Sequence, residues 1–473
     1  MTADIKPYPV YKDSGVSWLG QVPEHWGLWS LRAIANVEKG RLPRNLLESG
    51  RQPEESVPYL SMSFLRSSTE SASEYAAYQP DLVLVDRGET ILLWDGANAG
   101  EFLKAKAGVV SSTAARVRPR AVDQQFFFYA CRLVEPTLRA LTVGMGIPHV
   151  DGDVLKGLRL PIPPTTEQVS IVRYLDHADR KVRHAIRARQ QLIKLLTEQK
   201  QAIINRAVTR GLDPNVRLKP SGVPWLGDVP EHWEVLPIKR TLISLDYGIS
   251  ESSTDAGTIR LLTMGNIRDG RVTIPEAGGV VAVDASLLLE IGDLLFNRTN
   301  SSELVGKVGL FTGANSPVTF ASYLVRMRPR PEYEPEYLNF VCNDVSTLSV
   351  TRREAIPSLH QSNLNPTRYG RLRIPLPPLQ EQRTILKVLK KKTSNVDKAI
   401  DTAHREIDLL REYRTRLIAD VVTGKLDVRD VKVPDDETYV LPEEIERIDD
   451  VDAIDQTDDV AESDSESSSE ESA

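Results

Sequence analysis

The chain has 473 residues, 41% hydrophobic and 26% charged, a globular composition with room for two or three buried cores. No apolar run approaches the roughly 20 residues needed to cross a bilayer, and the start lacks an apolar signal core, so a cytoplasmic protein with no membrane partner is expected. The formal charge of −7 divides unevenly: −16 falls in residues 434–473, leaving +9 on residues 1–433, a basic body of the kind that meets nucleic acid.

In chain order, the first feature is SGVSWLGQVPEHW at residues 14–26. It returns as SGVPWLGDVPEHW at residues 221–233, identical at eleven of thirteen positions. Trp18, Trp26, Trp225 and Trp233 are four of the six tryptophans. His25 and His232 repeat with them, but no other histidine does, so the element reads as a packed corner. Short apolar runs broken by polar turns follow, at 81–94 and 107–120. They predict strands, and a helix-like stretch comes next near 123–142.

LRLPIPPTTEQ at 158–168 closes this region. Thr165 and Gln168 fit a capping box, and neither Gly nor Pro recurs before Gly211, which predicts a helix of about 45 residues, roughly 65–70 Å long. The second copy repeats the plan. Strand-like runs lie at 285–299 and 319–330, and a helix-like stretch near 334–350. LRIPLPPLQEQ then stands at 372–382, and a second long helix ends at Gly424. Cys131 and Cys342 sit in similar settings and read as buried thiols rather than a disulfide. The tail, ending ESDSESSSEESA, cannot bury a core and is expected to be disordered.

The long helices carry a 4–3 apolar spacing in one register. Leu175, Val182, Ile186, Ile193, Leu196 and Ile203 lie on the first, and Leu389, Val396, Ile400, Ile407, Leu410 and Leu417 on the second. A 3.5-residue period predicts that the helices pack on each other as a coiled coil. The basic run at 180–189, including Arg187, reads as a solvated face. The expected architecture is mixed α/β with a pseudo-twofold internal repeat. It places a first domain at 1–160, a long helix in 161–215, a second domain at 216–374, a second helix in 375–430 and an acidic tail at 431–473.

Catalytic signatures are missing. ELVGKV at 303–308 lacks the first Gly and the closing Ser/Thr of a phosphate loop, and NPTR at 365–368 is not the motif of an amino-methyltransferase. No HExxH, paired CxxC or GxSxG is present. No catalytic or metal-ligating residue is therefore assigned, and no cofactor is expected in this chain.

Polar loops offer base-edge donors and acceptors instead, with Arg suited to guanine and Asn or Gln to adenine. In the first copy the candidates are Trp94, Asp95 and Asn98 of WDGANAGE, Ser111 and Ser112, and His149 of GMGIPHVDGD. In the second they are Asn297, Arg298, Thr299, Asn300 and Ser301 of FNRTNSSE, Lys307, and His360, Gln361 and Asn363 of SLHQSNLNP.

The ordered set of SGVxWLGxVPEHW, IPxPPxxEQ, the long helix and DVVTGKLDVR at 420–429 resembles the DNA-specificity subunit of Type I restriction–modification systems. The resemblance covers about residues 8–430. It implies two target-recognition domains, each reading half of a split double-stranded DNA sequence, held apart by an antiparallel two-helix coiled coil. It also implies a non-catalytic chain. Two modification (methyltransferase) subunits and the restriction (endonuclease/translocase) subunits would be its partners, and S-adenosylmethionine, ATP and Mg would belong to them. A self-contained DNA methyltransferase is the enzyme alternative, opposed by the missing cofactor loop. A coiled-coil scaffold without DNA specificity is the structural one.

Overall fold

The computed structural model describes residues 5–48, 52–67, 69, 71–144, 146–358 and 361–434. His360 and the acidic tail beyond Pro434 lie outside them. The chain divides into two units. The first comprises Met1–Gln190 and Arg405–Ala473, and the second Gln191–His404. The division falls inside the two long helices, so each unit takes in part of both.

In the first unit, a four-stranded antiparallel sheet has the order Phe102–Lys104, Thr90–Leu93, Ala114–Pro119, Ala35–Lys39. A five-stranded sheet built from Leu46–Glu48, Glu74–Ala77, Ser56–Leu60, Gly108–Val110 and Leu84–Val85 lies beside it in sequence. The helix Gln124–Ala140 starts where the Asp123 carboxylate accepts hydrogen bonds from the Gln125 and Phe126 N–H groups, at 2.9 and 2.8 Å. Phe126, Phe127, Ala130, Cys131 and Val134 recur at helical spacing and are fully buried. Ile171, Leu175 and Ala178 from the first long helix complete this core with Leu417, Val421 and Val422 from the second.

The second unit follows the same plan. Its sheet has the order Leu242–Tyr247, Leu324–Pro329, Leu294–Asn297, Val308–Leu310, Arg271–Val272, Ile267–Arg268. The single helical stretch expected near 334–350 is two helices, Pro335–Asn343 and Val345–Arg353. Asp344 breaks them: its carboxylate accepts from Ser346 N–H at 3.0 Å and caps the second. Tyr337, Val341 and Cys342 pack with Ile204, Ala207 and Val208 of the first long helix and Ile385, Leu386 and Leu389 of the second. Both cysteines are free and buried.

The long helices span Thr165–Arg210 and Leu379–Val422. Gly211 and Gly424 end them at φ +73° and +77°, a conformation that costs glycine little. Within the first unit Arg414 pairs with Asp179 at 2.5 Å and Arg189 with Glu406 at 2.5 Å. Within the second, Lys200 pairs with Asp397 at 2.6 Å. In the first unit numbers rise on one helix as they fall on the other, so the two segments there run antiparallel.

Leu175, Val182, Ile186, Leu389, Val396, Ile407 and Leu417 are buried, and Ile193, Leu196, Ile203, Ile400 and Leu410 are half-buried. The buried face is wider than a two-position stripe, because residues 178–179 and 186–187 are buried as adjacent pairs. Arg187 is consequently only 8% exposed, not on a solvated face. Gln168 is no cap either. Its Nε2 donates to Pro163 O at 2.8 Å, and its Oε1 accepts from Asp123 N–H at 2.8 Å. Gln382 does the same with Pro377 O and Glu334 N–H, both at 2.9 Å. The repeated Gln thus ties the first long helix to the start of Gln124–Ala140 and the second to the start of Pro335–Asn343.

Candidate nucleic-acid interface

The WLGxVPEHW corner is structural. Trp26 is fully buried, and its Nε1 donates to Glu167 Oε2 at 2.9 Å. His25 Nε2 lies 2.6 Å from Glu167 Oε1, Tyr8 O–H donates to Oε2 at 3.2 Å, and Arg429 stands 3.7 Å from Oε1. Glu167 thus anchors the corner to the first turn of the long helix. In the second unit His232 Nε2 lies 2.7 Å from Glu381 Oε2.

The candidate surface is built on the sheets. In the first unit Arg116 pairs with Glu38, and Arg118 Nε donates to Glu89 Oε1 at 2.7 Å. In the second, Arg326 pairs with Asp246 at 2.7 Å and Arg328 with Asp293 at 2.8 Å. These are the same positions: Ala114 pairs with Leu93 as Leu324 pairs with Asn297, and Ala115 with Lys39 as Val325 with Tyr247. Burial alone would raise the Glu89 and Asp246 carboxyls. A hydrogen bond and charge from Arg118 at Glu89, and hydrogen bonds from Ser244 and then Arg326 at Asp246, outweigh it and hold both below their ordinary values. Both units therefore lock an edge strand and a middle strand with ionised pairs.

At the end of the middle strand the units differ. Trp94 N–H donates to Thr113 O at 2.8 Å, and Trp94 O accepts from Val150 N–H at 2.9 Å. Arg298 repeats both bonds, with Tyr323 O at 3.0 Å and Leu364 N–H at 2.7 Å. Around Trp94, Lys39 Nζ sits 5.6 Å over the indole and donates to Asp95 Oδ2 at 2.8 Å, and the Asp95 backbone lies opposite that of exposed His149 in a one-residue antiparallel bridge. Around Arg298, the guanidinium lies 5.3 Å over the Tyr247 ring, and Thr299 Oγ1 donates to Asn363 Oδ1 at 2.7 Å.

The sequence candidates divide accordingly. Trp94, Asp95 and His149 converge in the first unit, with half-buried Asn98 and Ser112 in the adjoining turns. Ser111 is buried and spans 3.1 Å to Thr113 Oγ1. Arg298 and Asn363 converge in the second, and Asn300, Gln361 and Lys307 are half-buried beside exposed Ser301. Asn297 does not face solvent: it is 2% exposed, and its Nδ2 donates to Met264 O at 3.1 Å. Thr299 is likewise buried. Lys39, Thr113, Tyr247 and Tyr323 were not among the candidates. Lys39 and Tyr247 each precede a glycine, Gly40 or Gly248, at which a Cβ would lie 2.2–2.3 Å from backbone carbonyls of the neighbouring loop. That repeated cation- or ring-plus-glycine pair was the available signal.

A family model described as the Type I restriction modification DNA specificity domain matches this chain twice, over residues 23–195 and 250–409. The chain is similar to the Type I restriction enzyme MjaVIII specificity subunit of Methanocaldococcus jannaschii, at 25% identity over 423 residues, 87% of this chain and 95% of that protein. It is 22% identical over 307 residues to the Type I restriction enzyme EcoKI specificity subunit of Escherichia coli K12, covering 63% of this chain and 64% of that one. In fold it resembles a chain from a solved structure on complex assembly and conformational transition of the type I R-M system. The TM-score is 0.62 at 16% identity, over 86% of this chain and 99% of that one.

Proposed function

This chain belongs to the Type I restriction–modification DNA specificity family, and from that membership we propose that each of its units reads one half of a split double-stranded DNA target. It is the DNA-recognition subunit of a Type I system. The observation that carries the two-reader reading is the shared frame with unlike faces. Arg116, Arg118, Arg326 and Arg328 lock equivalent strands, while the positions presented at the strand ends are Lys39, Trp94, Asp95 and His149 in one unit and Tyr247, Arg298 and Asn363 in the other. The same scaffold with different donors and acceptors is what two different half-sites require.

In this reading the long helices pair as an antiparallel coiled coil that spaces the readers. The chain itself is non-catalytic. Two modification subunits and the restriction subunits bind it, and S-adenosylmethionine, ATP and Mg act in those partners. The test is to exchange residues 30–157 for the equivalent region of a relative and map methylation of host DNA. One half of the recognised sequence changes and the other stays. A change in both halves together ends the modular reading.

A further inference from the structure

The cation–ring pair is present in both units at equivalent positions, with its members exchanged. In the first unit the cation is on the edge strand (Lys39) and the ring at the end of the middle strand (Trp94). In the second the ring is on the edge strand (Tyr247) and the cation at the middle strand's end (Arg298). Everything that holds the pair in place is alike: two arginine–carboxylate pairs, a glycine after the edge residue, and the paired backbone bonds at 94 and 298. Identical support around a reversed pair marks the pair itself as the part that differs by purpose.

Availability also differs. Lys39 is neutralised by Asp95 at 2.8 Å. Arg298 has no carboxylate among the described residues; its contacts are the Tyr247 ring and a 3.4 Å bond from Nη1 to Ser322 O, and its Nε is buried without a partner. Tyr247 and Tyr323 beside it are 52% and 45% exposed. A ring beneath the guanidinium restricts where it can lie while leaving its outward N–H groups open, which favours a bidentate contact. Resting on the two-reader function, we propose that Arg298, oriented by Tyr247, is the specificity-determining contact of the second unit and reads a guanine through O6 and N7. The Lys39–Asp95 pair and Trp94 occupy that place in the first unit and present a neutralised cation there.

The test is enrichment of a randomised duplex library by the full chain assembled with its modification subunits. Arg298→Ala lowers the preference for guanine at one position of one half-site by roughly 5- to 140-fold and leaves the other half unchanged. Arg298→Lys, which keeps the charge, weakens that preference while holding low-salt affinity, because an ammonium lacks the planar fork that the ring positions. Lys39→Ala alters only the opposite half. An unchanged motif with Arg298→Lys, or loss at a pair without guanine, overturns the assignment. A parent complex that enriches no sequence at all overturns the reader function with it.

Discussion

The two WLGxVPEHW corners are nearly identical in sequence and differently wired. In the first unit one carboxylate, Glu167, collects Trp26, His25, Tyr8 and Arg429. In the second, Glu381 meets His232, while buried Trp233 Nε1 has no partner among the described residues. The difference comes from supply. The first unit draws on two separate segments of the chain: Lys6 O accepts from Asp427 N–H at 2.9 Å, and Tyr11 O–H donates to Gly424 O at 3.0 Å. The second has only the short run after Gly211. At the two repeat offsets, 207 and 214, Asn215 stands against both Tyr8 and Arg429. One residue cannot be both a ring and a cation, so a shared motif fixes the corner while its neighbours fix the electrostatics.

The largest expected effect tests whether the units are equivalent where they look equivalent. Leu175 and Leu389 correspond at offset 214 and are 1% and 0% exposed. Leu175→Asp and Leu389→Asp each lose a buried side chain and gain an unpaired buried carboxylate, together about 4 kcal/mol or more. Denaturant unfolding of the two variants gives losses within about 1 kcal/mol of each other if the shared plan is also a shared energetic plan, by the usual scatter of core substitutions. A large loss for one and a mild loss for the other breaks the equivalence.

Next in size is the wiring itself. Glu167→Ala strands the buried Trp26 N–H and removes three further partners, for about 3 kcal/mol. Glu381→Ala removes one bond to a half-exposed histidine and costs about 1 kcal/mol or less. Thermal unfolding ranks the pair, and equal costs would mean the extra partners of Glu167 contribute nothing net.

The long helices were legible in the sequence because a 3.5-residue pattern recurs in two copies uninterrupted by Gly or Pro. The strands were legible as a class. Their faces were not: Leu294–Asn297 is buried at every residue, so period-2 alternation carries no signal, and Asn297 reads as a surface residue by type alone. Arg187 failed for a related reason, since a helix that packs on both a partner helix and a core buries more than its heptad seam. The site was half legible. Trp94, Asp95, His149, Arg298 and Asn363 stand in loops rich in turn residues, whereas Lys39 and Tyr247 end edge strands far away in sequence, and only pairing brings them in.

A smaller effect sharpens the contrast between the reading positions. Asp95→Asn removes the carboxylate that neutralises Lys39, so the first unit gains a free cation such as the second already has. DNA affinity rises about three- to tenfold at low salt, and the slope of log affinity against log salt steepens by about 1. Isothermal binding over a salt series measures both. An unchanged slope would place Lys39 away from phosphate.

The smallest effect concerns the tail. Residues 435–473 carry −16, against +9 on the body. Charge of that density competes with phosphate for the same basic surface, and the competition is long-ranged only when screening is weak: the Debye length is about 30 Å at 0.01 M salt and about 8 Å at 0.15 M. Truncation after Pro434 keeps the carbonyl of Val433, which accepts from Arg173 Nη2 at 3.0 Å, so the body is left intact. The truncated chain then binds DNA about two- to fivefold more tightly near 0.01 M salt and indistinguishably near 0.2 M, with the same recognised sequence. The tail follows from residues 405–434, which belong to the first unit alone. A change confined to one half of the recognised sequence would therefore show that the tail acts on that unit's reading surface, and the comparison of the two units would have to include it.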